Sequence, residues 1–214
     1  MTTYKAIKGQ NIRVLSSDPS NLALGDVWYN STSNTVKARA KSAAWAVGAS
    51  ITGSGRSTGF AAGTADAGFI AGGRPGGQSA TSEYNGTSFS AGGTMNYGRN
   101  TGGKGGTLSS GIAAAGGPYP PGRRTEEYNG TCWSVGGDVP TTGLPRSANY
   151  GCSGAGTSEN AAWITGGGPG GEGAPGWTST YQYNGTSWTS SGASRSIRWT
   201  AAAAGSEAAG NYFG

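Results

Sequence analysis

The sequence predicts an all-β protein built from repeated units, a propeller or a related array, and three observations predict it. First, the phrase Tyr-Asn-Gly-Thr occurs three times, at Tyr84–Thr87, Tyr128–Thr131 and Tyr183–Thr186. Second, each copy sits in a longer unit. The unit opens on an arginine (Arg56, Arg99, Arg146, Arg195) and runs through an apolar stretch to a Gly-Gly pair (72/73, 116/117, 166/167). It closes on an aromatic residue, Phe89, Trp133 or Trp188. A period of roughly 40–50 residues with strand-like pieces is the signature of such arrays. Third, only 12% of residues are charged and 43 are glycine, yet 7 Trp and 10 Tyr are present, many at fixed repeat positions. Disordered chains are poor in aromatics, so a packed β protein with tight turns is expected.

In chain order, residues 1–25 lack the repeat and read as an extended arm, with a turn at Asp18-Pro19-Ser20-Asn21 because Pro presets φ and Asp and Asn bond locally. Gly25–Asn30 reads as a strand, Ser31–Asn34 as a turn, and Thr35–Ala40 as an alternating return strand continued by Trp45-Ala46-Val47. Three segments follow: an attachment arm over 1–25, a hairpin over 26–50 and the repeats over 51–214. Each repeat divides into four strands. The first follows the arginine and is rich in small residues, as in Ser147–Gly151, suited to the crowded centre of a radial array. The second is the most apolar, as in Gly68–Ala71 and Ala161–Ile164. The third ends at the tyrosine and the fourth carries the aromatic residue. Asn-Gly between them predicts a type I′ hairpin turn.

Arginine, apolar-Gly-Gly, Glu-Tyr and Trp at this spacing resemble the kelch repeat of β-propellers, over about residues 55–214. The resemblance implies four-stranded antiparallel blades, about four of them, with Tyr84, Tyr128, Tyr183, Trp133 and Trp188 packed between blades and Arg56, Arg99, Arg146 and Arg195 in the framework. The abundance of Gly, Ser and Ala departs from cellular kelch proteins. It is more similar to the Tyr-Asn-Gly-Thr-Ser-Trp arrays of marine bacteriophage (cyanophage-type) virion proteins. Gly25–Thr32 likewise resembles a hairpin near the N-termini of phage tail and fibre proteins. The last unit begins at Arg195 and reaches the second-strand signature at Asn211–Gly214. Residues 26–47 are therefore expected to pair with residues 195–214 and close the ring, the alternative being that further repeats follow.

The residue types restrict the chemistry. With no histidine there is no Ser-His or Cys-His nucleophile pair and no imidazole metal ligand, and two cysteines are too few for a Cys-rich zinc site. Neither a cofactor nor a metal is expected. Cys132 and Cys152 fall on different units and are expected as free thiols. Glu126 and Glu127 are candidates for a glycosidase-type carboxylate pair. They alternate across a strand, and Glu83 is the repeat equivalent of Glu127, which favours a structural role. Gly166–Gly171 lacks the Lys-Ser/Thr of a phosphate loop. The sequons at Asn30, Asn85, Asn129 and Asn184 read as turns.

The net charge is +5, and residues 1–41 hold Lys5, Lys8, Arg13, Lys37, Arg39 and Lys41 against Asp18 and Asp26. These cations form no basic run, so the N-terminal region is expected to meet a protein partner and not nucleic acid. No run of about 18 apolar residues predicts a membrane span, and Met1–Lys5 opens no secretory leader, which places synthesis in a cytoplasm. The variable loops share one face, and Arg74, Tyr119, Arg123, Arg124 and Trp177 on it suit sugar rings or anionic glycans. The expectation is a non-enzymatic phage virion protein of tail, fibre or head surface, present in multiple copies. It would be joined to other virion proteins by its N-terminal region and would contact a host surface glycan. The alternatives are a sialidase-like carbohydrate-active enzyme and a cellular kelch interaction scaffold.

Overall fold

The three units that carry Tyr-Asn-Gly-Thr each fold into a four-stranded antiparallel sheet. The computed structural model describes residues 12–39, 47–117, 122–140, 152–168, 176–196, 202–206 and 208–213. The chain divides into two compact units, Met1–Val47 and Gly48–Gly214.

The first unit is a small sheet of β1 (Arg13–Leu15), β2 (Val27–Asn30) and β3 (Thr35–Ala38), in the order β1-β2-β3. β2 and β3 form the expected hairpin, whereas β1 runs parallel to β2. The segment read as an arm thus contributes a strand. Asp18 holds the crossover: its carboxylate accepts Trp28 Nε1 at 3.0 Å, Asn30 Nδ2 at 2.9 Å and Lys37 Nζ at 2.7 Å. These donors, Lys37 foremost, lower its pKa to about 2. β2 is the middle strand of its sheet, with β1 and β3 on its two edges.

In the second unit, β4 (Phe60–Gly63), β5 (Gly68–Ala71), β6 (Thr81–Tyr84) and β7 (Phe89–Ala91) make the first sheet. β8 (Gly103–Thr107), β9 (Ser110–Ala114), β10 (Thr125–Tyr128) and β11 (Trp133–Val135) make the second. β12 (Ser153–Ser158), β13 (Ala161–Thr165), β14 (Ser179–Tyr183) and β15 (Trp188–Ala193) make the third. β16 (Ala202–Gly205) and β17 (Gly210–Phe213) form a two-stranded fourth. The opening strands line up in succession, β4 against β8, β8 against β12 and β12 against β16. This is a propeller-like arrangement with no helix among the described residues. Backbones approach closely there: a Cβ on Gly105 would lie 2.5 Å from the Gly156 nitrogen, so the facing position takes glycine. The segment Ser147–Gly151, expected as a first strand, lies outside the described residues.

The hairpins between third and fourth strands form where expected but by another turn. Tyr84 pairs with Phe89, leaving a four-residue loop, Asn85 to Ser88. Gly86, Gly130 and Gly185 take φ near +88° while none of the three asparagines has positive φ, so the turn is not type I′. The asparagine side chain organises it instead. Asn85 Oδ1 accepts the N–H groups of Thr87 and Ser88 at 3.0 and 2.8 Å, and Asn129 and Asn184 do the same two and three residues on.

Apolar cores fill the spaces between successive sheets. Phe69 of the first sheet meets Tyr128 and Trp133 of the second, each at 5.6 Å between ring centroids. One sheet on, Ile112 clusters with Ala162, Tyr183 and Trp188. Such aromatic contacts add about 0.5–1.5 kcal/mol each beyond the area they bury.

Candidate functional site

The repeated residues lock each sheet to the one before it. Tyr128 Oη donates to Glu83 Oε1 and accepts Gly93 N–H at 3.2 Å. Tyr183 Oη donates to Glu127 Oε1 at 2.5 Å and accepts Gly137 N–H at 3.1 Å. Burial, reinforced by the carboxylate, raises both phenols to about 12. Trp133 Nε1 donates to Thr81 Oγ1 at 2.9 Å and Trp188 Nε1 to Thr125 Oγ1 at 2.8 Å, again one sheet back. The Tyr84 hydroxyl instead bonds within its own turn, to Gly86 O.

The repeat arginines differ among themselves. Arg99 is fully buried and donates to the carbonyl of Arg124 at 2.6 Å and to Glu126 Oε1 at 2.5 Å. Arg56 makes the equivalent bonds to Ala80 O at 2.5 Å and Ser82 Oγ at 2.8 Å. Each therefore clamps the carbonyl just before the third strand. Arg195, expected in the same role, is exposed. Its sheet has no third strand among the described residues. Arg146 lies outside the described residues.

The carboxylates weighed as a catalytic pair are engaged by this scaffold. Glu126 is fully buried and also accepts Asn96 N–H at 2.6 Å, Asn96 Nδ2 at 2.9 Å and Tyr97 N–H at 3.3 Å. Its oxygens thus take four donors, one of them a guanidinium. Glu127 faces the opposite way and takes Tyr183. Cys132 and Cys152 are both free, the first exposed and the second buried. Burial pushes the Cys152 thiol up to about 11, so it stays protonated at neutral pH. No group of three or more potential metal-ligating residues occurs among the described residues. Among the described residues no helix is long and apolar enough to cross a membrane.

On the loop face, the described candidates fall into three situations. Arg74 is exposed on the turn after β5, its backbone paired with Ser57. Arg123 is tied down, donating from Nη1 to Val139 O at 2.8 Å, and Trp177 packs against the Ile112 cluster. Arg124 is exposed and lies over the ring of Tyr97 at 5.4 Å, with Nε 4.0 Å from Asp138. Tyr119 lies outside the described residues. The structure thus brings Arg124 together with Tyr97 and Asp138, neither of which the repeat pattern singles out. The signal for Tyr97 is a break in symmetry. Two residues before the other repeat arginines stand Ser54, Leu144 and Ala193, with no aromatic. A comparison with protein-family models gave no match, and neither did a comparison with curated protein sequences.

Proposed function

We propose that this chain is a non-enzymatic structural component of a bacteriophage virion, on the tail, a fibre or the head surface, with a host-recognition role. Its repeats make a kelch-like propeller of about four blades, and its N-terminal unit joins it to other virion proteins. The observation that carries the binding reading is Arg124 over Tyr97. An exposed guanidinium on a half-buried ring is a flat cationic surface of the kind that engages an anionic sugar. Arg74 adds a second exposed cation on a loop of the same kind. The use of Glu126 and Glu127 within the scaffold supports a binding protein over a glycosidase. The division into two compact units supports separate attachment and recognition parts. The virion assignment rests on the resemblance of the Tyr-Asn-Gly-Thr arrays and of Gly25–Thr32 to phage proteins.

The test pairs glycan-array and host-cell binding with glycosidase assays, for wild type and for a Tyr97→Ala, Arg124→Ala double variant. Binding to acidic glycans that falls at least about tenfold in the variant, with no hydrolysis, supports the reading. A catalytic rate lost on Glu126→Gln or Glu127→Gln in folded protein overturns it in favour of an enzyme.

A further inference from the structure

The two faces of the small N-terminal sheet differ in kind. Successive residues of a strand point to opposite faces, so the pairings of β2 with β1 and β3 sort the side chains. One face carries Arg13, Leu15, Trp28, Asn30, Thr35 and Lys37. The crossover between β1 and β2 covers it: Asp18 bonds Trp28, Asn30 and Lys37, and Trp28 is buried. The other face carries Val14, Tyr29 and Val36 in one row across the three strands, and Val27 beside Ala38 in the next. Ile12, two residues before Val14, shares their side.

That second face is apolar and open. Val14 is 67% exposed, Val36 63%, Ile12 47% and Val27 46%. The Tyr29 hydroxyl is its one side-chain polar group, and it bonds Asn34 Oδ1 at 3.1 Å. The apolar face of a sheet stabilises a fold only when another layer covers it. Two properties identify what covers this one. The first is area: with Tyr29 and Ala38 the face exposes roughly 500 Å², so two such faces would bury about 1,000 Å², the lower bound for a specific interface. The second is charge. Arg13 and Lys37 lie on the covered face, and Asp26 and Arg39 alternate with Val27 and Ala38 and so point away as well. A face without charge gives a charged partner nothing to pair with, whereas an identical face meets it with no buried unpaired charge.

We propose that the face bearing Ile12, Val14, Val27 and Val36 is a self-association surface, packed against the same face of a second copy of this chain. A two-fold pair uses one patch twice, which requires that the patch be complementary to itself. Rows of valines on twisted sheets meet that requirement, because the side chains of two aligned apolar faces interdigitate as in a β-sandwich. The result is a two-layer core shared between copies, with the charged, crossover-covered faces outward.

The test is analytical ultracentrifugation of the whole chain from about 1 to 300 μM, since so small an interface gives a weak dimer. Wild type is compared with Val14→Lys and Val36→Lys, both at exposed positions. The Trp28 indole N–H resonance, held by Asp18, reports whether the sheet stays folded. Wild type dimerises across this range, with methyl resonances of Val14, Val27 and Val36 shifting as concentration rises. Each lysine weakens the dimer at least about tenfold, because it brings an unpaired charge into an apolar contact. Should a lysine disturb the Trp28 signal, Val36→Thr keeps the branched shape of the side chain and weakens the dimer by a smaller factor. The proposal is overturned if wild type stays monomeric to about 300 μM, or if a dimer forms that neither lysine weakens while Trp28 is unchanged. Neither Arg124 nor Tyr97 enters the test, so its outcome is independent of the recognition reading.

Discussion

The hydroxyl of Tyr183 donates a 2.5 Å hydrogen bond to Oε1 of Glu127, one sheet back along the chain. The same contact joins Tyr128 to Glu83, so the tyrosine of Tyr-Asn-Gly-Thr closes its own hairpin and also fastens its sheet to the preceding one. Both phenols are raised from about 10 to about 12 in the folded state. A raised acid is stabilised in its protonated form by folding. That stability is complete below the unfolded value near 10 and is lost as pH rises through the folded value near 12. Thermal melts between these pH values should show a falling midpoint. Tyr128→Phe with Tyr183→Phe should flatten that fall while lowering stability at neutral pH.

Arg99 and Glu126 form an ion pair with both side chains fully buried. Removing one partner strands the other charge in the core, so Arg99→Met should cost about 3–5 kcal/mol in chemical denaturation. The double variant Arg99→Met, Glu126→Leu should be less destabilised than Arg99→Met alone. Equal or greater loss in the double variant would show that the guanidinium's carbonyl clamps, and not the charge pairing, dominate.

Gly111 lies under the Phe69 ring, with no room for a methyl group. Gly111→Ala should destabilise by about 1–3 kcal/mol through overpacking. Adding Phe69→Leu should recover part of the loss, measured by the same denaturation midpoints.

In the N-terminal sheet, Asp18 is held at about 2 by Lys37, Asn30 and Trp28, below its ordinary 3.8. A depressed carboxyl stabilises the fold above its unfolded value and loses that contribution as pH falls through the folded one. The Trp28 indole N–H resonance should therefore persist at pH 4 and shift toward its unfolded position as pH falls past about 2. In Asp18→Asn that shift should be absent.

Much of this fold is legible in the sequence because the repeat is written in residues with one structural use. Tyr-Asn-Gly placed the third and fourth strands, and Gly-Gly marked the ends of the second. The turn type was misread because Asn85 has two ways to organise a tight loop, through its backbone or through its side chain, and pattern alone does not separate them. β1 was read as part of an arm because a three-residue strand has no periodicity to detect. Its stabilising residue, Asp18, acts through partners ten to nineteen positions away. At the loop face, Arg124 was legible as a charge on a variable loop. Its partner Tyr97 was not, since it lies in the preceding connection and meets Arg124 only in the folded sheet.

The tyrosine-to-glutamate contact ties each of these sheets to the one before it. The direct measurement is a double-mutant cycle on Glu127→Gln and Tyr183→Phe, read as unfolding free energy. Contact between the two side chains predicts a coupling of about 0.5–3 kcal/mol, as for neighbours in one hydrogen-bond network. Additive effects, within about 0.3 kcal/mol, would contradict it.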